Sequence, residues 1–266
     1  MGLSDVQQTL FFPLMGRAIA ARRWPDLFPD PWAEHAADIR AAEGSTAEQL
    51  GDFPAAVYGL RHLLTIQEIN RYLVDHPGAG VVNVGCGLDR IVSELADPNA
   101  VVYNLDFPEV LTARERWVPR DEREIDLPYS VTDHRWFDHV DGTNGLIVVA
   151  AGVFYYLEAN QVKALVRELG DRIPASRLCY DAESPMITEF SERQIRRNGT
   201  PEATMPFRLG DPYGVRTWSD RIADVRVEFN FARYLTDRSR LPLGIRFGFF
   251  CMRLIKGMYE VIITFK

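Results

Sequence analysis

A chain of 266 residues with 47% hydrophobic and 25% charged side chains has the apolar mass for a sizeable core and the make-up of an ordinary globular protein. Its formal net charge of −7 disfavours nucleic acid as a partner, since a phosphate backbone needs a basic face. Cys86, Cys179 and Cys251 are odd in number and far apart, which argues against a disulfide framework or a metal site and fits a reducing compartment.

In chain order, "SDVQQTLFFPLMGRAIAARRW" predicts a helix with Ser4 as N-cap, interrupted at Pro13. A second helix restarts after Pro31 and ends near Gly44, and residues 55–75 carry the strongest helical pattern. No basic start and apolar core marks a signal peptide. Gly2 opens something like a myristoylation signal that fails at Val6. No run approaches the ~18 apolar residues of a membrane span. A soluble cytoplasmic protein is expected, by default a monomer, with a homodimer as the alternative.

After residue 80 the rhythm changes. Apolar runs at 80–84, 100–105, 146–150 and 177–181 read as strands covered on both faces, and 224–231 as a further strand. Helix candidates lie between them at Asp89–Ala96, Glu109–Trp117, Asn160–Arg172 and Pro185–Asn198. Residues 124–130 suit a short edge strand, "RLPLGIRFGFFCMRLIKGM" a helix, and "YEVIITFK" a last strand. The alternation implies a mostly parallel sheet of about seven strands with right-handed crossovers. A helical cap over 1–78 and an α/β core over 79–266 are expected within one domain, and the polar, Gly- and Pro-rich stretch within 185–220 suits a substrate-covering insertion.

Three stretches carry chemistry. "VVNVGCGLDR" (81–90) places Gly85 and Gly87 in a tight turn after the first strand, as a nucleotide-cradling loop does. The third glycine of a dinucleotide fingerprint is replaced by Arg90, and the Gly-Lys-Ser/Thr ending of a P-loop is missing. S-adenosylmethionine is thereby favoured over a dinucleotide, without either being excluded. "VVYNLDFPEV" puts Asp106 at the end of the second strand, where a carboxylate can accept both hydroxyls of an adenosine ribose. In "SVTDHRWFDHV", Asp133 can accept from an adenine amino group, cap the helix that follows, or do both.

Together with "AAGVFYYLEANQVKALVREL", these motifs resemble the leucine carboxyl methyltransferase-like family, closest to its tetracenomycin-polyketide O-methyltransferase type. "FPDPWA" (28–33) and "LRHLL" (60–64) resemble family elements upstream. The resemblance implies a Rossmann-like class I methyltransferase fold: a seven-stranded, mostly parallel sheet with an antiparallel last strand and a helical N-terminal cap. It implies S-adenosyl-L-methionine as cofactor, with Arg61, Gly85, Cys86, Gly87, Asp106, Phe107, Thr132, Asp133 and Ala151 around it. Arg61 matches the arginine that pairs with the cofactor carboxylate, and Arg17 approximates a second cation there. Ala151 stands where the family tends to have Glu, and "GLDRI" departs from its usual Thr-Arg.

The expected partner is a small-molecule methyl acceptor, in polyketide-like secondary metabolism by the resemblance. A carboxylate acceptor, as the family implies, is already ionised and needs no base; a phenol would be helped by one. His62 is the candidate base, with His134 behind it. Tyr155 and Tyr156 are placed to line the acceptor pocket, one facing the site and the other the core. Arg208 and Arg216 suit an acidic substrate. The competing function is a non-catalytic relative that binds the cofactor or a partner, motivated by Ala151.

Overall fold

The structure is a computed structural model, and it describes residues 11–42, 50–197 and 204–266. Among these residues three helices come first: α1 (Phe11–Arg23), α2 (Pro31–Ala42) and α3 (Asp52–Asp75). Helix α1 runs through Pro13 without a break; the expected start at Ser4 and stop at Gly44 lie outside the described residues. Then β1 (Gly80–Val84), β2 (Val101–Asp106), α4 (Pro108–Trp117), β3 (Glu124–Pro128) and β4 (Leu146–Ala150) follow. The chain continues through α5 (Ala159–Arg172), β5 (Arg177–Glu183), α6 (Pro185–Arg197), β6 (Ile222–Glu228), α7 (Leu243–Leu254) and β7 (Met258–Phe265).

The strands form one sheet in the order β3-β2-β1-β4-β5-β7-β6, and only β7 runs against the rest. This is the expected mostly parallel sheet with an antiparallel last strand. Strands β1 and β4 are buried at every position because helices cover both faces. On one face Val82, Leu105, Val148 and Tyr180 pack with Val162, Leu165 and Leu169 of α5. On the other, Val81, Val102, Ile147 and Cys179 meet Ile66, Ile69, Tyr72 and Leu73 of α3. Each such large side chain contributes about 1.5–3 kcal/mol by leaving water. The other half of α3 packs on α1 and α7, where Ala20, Ala56, Leu60, Leu64, Ile245 and Phe249 join one cluster. Among the described residues no helix is long and apolar enough to cross a membrane.

Two expectations are corrected. The helix expected over Asp89–Ala96 is only a 3-10 turn at Ile91–Glu94. Bonds to distant parts of the chain hold that segment: Asp89 is bound to Arg17, Arg114 donates to the Asp89 carbonyl, and the Asp97 carboxylate accepts the Gly78 N–H at 2.6 Å. The strand expected at 224–231 ends at Glu228, where its carboxylate accepts the Asn230 N–H at 2.7 Å and a 3-10 turn, Phe231–Tyr234, follows.

Candidate active site

The order β2-β1-β4 brings three strand ends side by side, with the glycine turn in the middle. Gly85 has φ +61° and Gly87 φ +47°, conformations that a Cβ disfavours. A Cβ at Gly85 would also lie 2.5 Å from Val153 Cγ2. The turn is held from several sides. The Gly85 N–H donates to the Leu105 carbonyl at 2.7 Å, and Trp32 Nε1 to the Leu88 carbonyl at 2.9 Å. Buried Arg114 of α4 donates to the carbonyls of Gly87 and Asp89 and pairs with Glu124 at 2.8 Å. Cys86 is buried between the glycines, and burial pushes its thiol pKa well up, so it stays neutral and packs.

Asp106 ends β2 beside this turn. Its Oδ2 accepts the Gly87 N–H at 2.9 Å and its Oδ1 the Phe107 N–H at 2.8 Å. Burial raises its pKa, and the two N–H donors only partly offset this. Each carboxylate oxygen keeps a second lone pair, and the half-exposed Phe107 ring stands next to it. A vicinal diol attached to a flat base fits such a pair, so the residues present suit an adenosyl group.

After β3, the Thr132 hydroxyl lies 2.9 Å from that of Ser130. Asp133 caps its own 3-10 turn: it accepts the Arg135 N–H at 3.2 Å and pairs with the Arg135 side chain at 2.6 Å. That arginine lowers the Asp133 carboxyl to about 2.

At the other lip, Ala151 is exposed and Gly152 has φ +76°. A Cβ at Gly152 would come within 3.3 Å of the Arg61 guanidinium. Asp181, at the end of the run 177–181 that predicts a strand, is the hub here. Its Oδ1 accepts the Gly152 N–H at 2.6 Å, and its Oδ2 accepts Tyr155 Oη at 2.9 Å and Arg61 Nη1 at 3.1 Å. Burial opposes the Arg61 charge, yet Asp181 outweighs it and raises the guanidinium pKa. The two tyrosines divide: Tyr155 is buried, its pKa driven up by burial and by Asp181, whereas Tyr156 is 41% exposed.

His62 is not available as a base. Its Nε2 lies 2.7 Å from Glu94 Oε1 and its Nδ1 3.7 Å from Asp89 Oδ2, in a cluster where Arg17 pairs with Asp89 and with Asp30 at 2.9 Å. Burial and Arg17 oppose its charge, but Asp89 and Glu94 prevail and hold the imidazole pKa up at about 10. It is therefore already protonated at neutral pH. His134 sits 3.9 Å from Glu168 of α5. The substrate arginines are also committed: Arg208 pairs with Glu192 at 2.8 Å, and Arg216 donates to the Val225 carbonyl at 2.8 Å. Within 185–220, Phe207 is buried against Phe154 and Tyr180, so that part of the segment adds to the core.

Residues 11–170 match the model of the leucine carboxyl methyltransferase family. The tetracenomycin polyketide synthesis O-methyltransferase TcmP of Streptomyces glaucescens is 27% identical over 232 residues, covering 85% of this chain and 82% of that protein. Among solved structures, a DUF574 family protein from Streptomyces avermitilis matches with a TM-score of 0.57 at 12% identity, over 89% of this chain and 91% of that one. The plantazolicin methyltransferase BpumL, solved with a triazolic desmethylPZN analog and SAH, matches with a TM-score of 0.51 at 11% identity, over 98% and 100% of the two chains. These two share this chain's fold. With a family match over residues 11–170, the chain belongs to the leucine carboxyl methyltransferase family, and S-adenosyl-L-methionine is its methyl donor.

Proposed function

We propose that the protein is an O-methyltransferase acting on a small or medium-sized metabolite. The observation that carries this is the Asp106 carboxylate, tied to the glycine turn at 2.9 Å, in a chain of this family. When bound, the donor supplies an electrophilic methyl group on a sulfonium. Asp106 would hold the ribose, and Phe107, Thr132 and Asp133 the adenine side. The backbone of Gly85, Cys86 and Gly87, with Arg61, would hold the methionine end. The donor would lie past Ala151, whose neighbour Gly152 donates its N–H to the Asp181 carboxylate at 2.6 Å. Tyr155, fixed through Asp181 to Arg61, would keep the floor of the acceptor side rigid, and exposed Tyr156 would help to exclude water. Alignment and exclusion of water are what an in-line displacement asks of these residues.

Transfer to oxygen, and a polyketide-like acceptor, are supported by the printed name of the 27% identical relative. Calorimetric titration with S-adenosylmethionine and S-adenosylhomocysteine, followed by labelled methyl transfer to a panel of aromatic acids and phenols, tests the proposal. Saturable heat and a labelled ester or ether are expected. Binding without any O-methylated product would overturn the oxygen assignment, and no binding at millimolar donor would overturn the enzyme.

A further inference from the structure

We propose that Glu183 is the general base of the transfer, and that the acceptor is accordingly a neutral hydroxyl such as a phenol rather than a carboxylate. This rests on the methyltransferase reading above and specifies its acceptor.

Side chains alternate along β5, so Arg177, Cys179, Asp181 and Glu183 share the face covered by α3. Arg177 lies over Tyr72, and Asp181 meets Arg61. Glu183 stands one step further toward the carboxyl end of the strand, where parallel sheets receive their ligands. It follows the carboxylate that already orders Gly152, Tyr155 and Arg61.

Unlike that of Asp181, the Glu183 carboxylate is not fully engaged. Its Oε2 is buried without a hydrogen-bond partner, and so is the neighbouring Ser184 Oγ. A buried acceptor left open carries a desolvation cost, and it is kept where another molecule supplies the donor. A hydroxyl acceptor supplies one; a carboxylate does not.

The surrounding charge points the same way. The groups facing Glu183 are Arg61 from α3, Asp181 on its own strand, Tyr155 and Tyr156 beyond β4, Tyr259 from β7 and Ser191 from α6. Glu260 of β7 lies beside Asp181, but burial pushes its carboxyl pKa well up, so it adds no negative charge there. Arg61 is the single cation in this set and is already paired with Asp181. With Arg61 taken by Asp181, this set offers an anionic acceptor no free cation to pair with, whereas a neutral acceptor needs none. Burial, reinforced by Asp181 and only partly opposed by Ser191 and Arg61, pushes the Glu183 carboxyl up to about 7, which suits a base working near neutrality.

The step balances. The acceptor oxygen forms the new O–CH3 bond as the S–CH3 bond breaks, its electron pair staying on sulfur. The hydroxyl proton passes to Glu183 and from there to solvent.

The test compares wild type with Glu183→Gln and Glu183→Asp on 1-naphthol, 4-nitrophenol and 1-naphthoic acid, using labelled donor. Wild type should methylate 1-naphthol in preference to 1-naphthoate, with kcat/KM rising through about pH 7. Glu183→Gln should lose about 100-fold or more on 1-naphthol but under about tenfold on the far more acidic 4-nitrophenol, and Glu183→Asp should recover part of the loss. Independently of turnover, a carboxyl infrared band present at pH 6 and lost at pH 8 should be missing from Glu183→Gln. Preference for naphthoate, equal losses on both phenols, no methylation of either phenol, or no such band overturns this proposal alone when calorimetry shows intact donor binding. If wild type fails to bind the donor, the methyltransferase reading falls and this proposal falls with it.

Discussion

Arg61 and Asp181 lie 120 residues apart in sequence and meet at 3.1 Å, joining the middle of α3 to the carboxyl end of β5. The same carboxylate receives the Gly152 N–H and the Tyr155 hydroxyl, so one side chain ties a helix, a strand and a loop at the edge of the crevice.

Asp181→Ala strands a buried guanidinium and two further donors. Removing one partner of a buried pair typically costs about 3–5 kcal/mol. A urea unfolding midpoint lowered by that equivalent is expected; a change below about 1 kcal/mol would mean that Arg61 finds another partner.

Asp106→Ala should weaken the donor about 100-fold, because charge-assisted hydrogen bonds to ribose contribute roughly 1.5–3 kcal/mol each. Calorimetry reads this directly. Unchanged affinity would remove Asp106 from the ribose role.

The sequence already showed why that position matters. Buried β1, β2 and β4 were legible as short, mainly apolar runs, and the glycine turn and Asp106 stood at the ends of the first two. Asp181 and Glu183 were visible only as two acids in "YDAESP", since nothing local reveals that their shared face meets α3. His62 misled for the same reason: Asp89 and Glu94, which hold it charged, and Arg17 and Asp30, which pair beside it, come from three separate stretches. The expected helix after Asp89 failed because side-chain bonds to distant partners outweighed a modest helical pattern.

The charged cluster makes stability depend on pH. His62 has a folded pKa of about 10 against an ordinary value near 6.5, so its contribution is complete below about pH 6.5 and is lost as pH rises toward 10. The lowered Asp89 carboxyl acts in the opposite sense: its contribution is present above about pH 4 and is lost as pH falls below that. His62→Gln should be less stable than wild type by a few kcal/mol, on the order expected for such a shift, at pH 6.5, with the gap closing by pH 10. Parallel unfolding curves for the two proteins across that range would show that His62 folds uncharged.

Gly85→Ala meets both a left-handed backbone and a contact of 2.5 Å with Val153. A loss of about 1–3 kcal/mol in stability is expected, together with donor binding. Adding Val153→Ala should return part of the stability by removing the contact, but not the part owed to φ. Full recovery in the double variant would assign the whole effect to crowding.

Helix α3 spans both halves of the molecule as a single 24-residue rod. Near its start Tyr58 lies so close to Gly16 of α1 that a Cβ there would come within 2.2 Å of the ring, three residues further on it carries Arg61, and at its end Tyr72 stacks on His76 and bonds the Leu146 N–H. Hydrogen exchange should therefore slow in α1 as well as around Arg61 when donor is added, because a rod gripped at both ends passes restraint along its whole length.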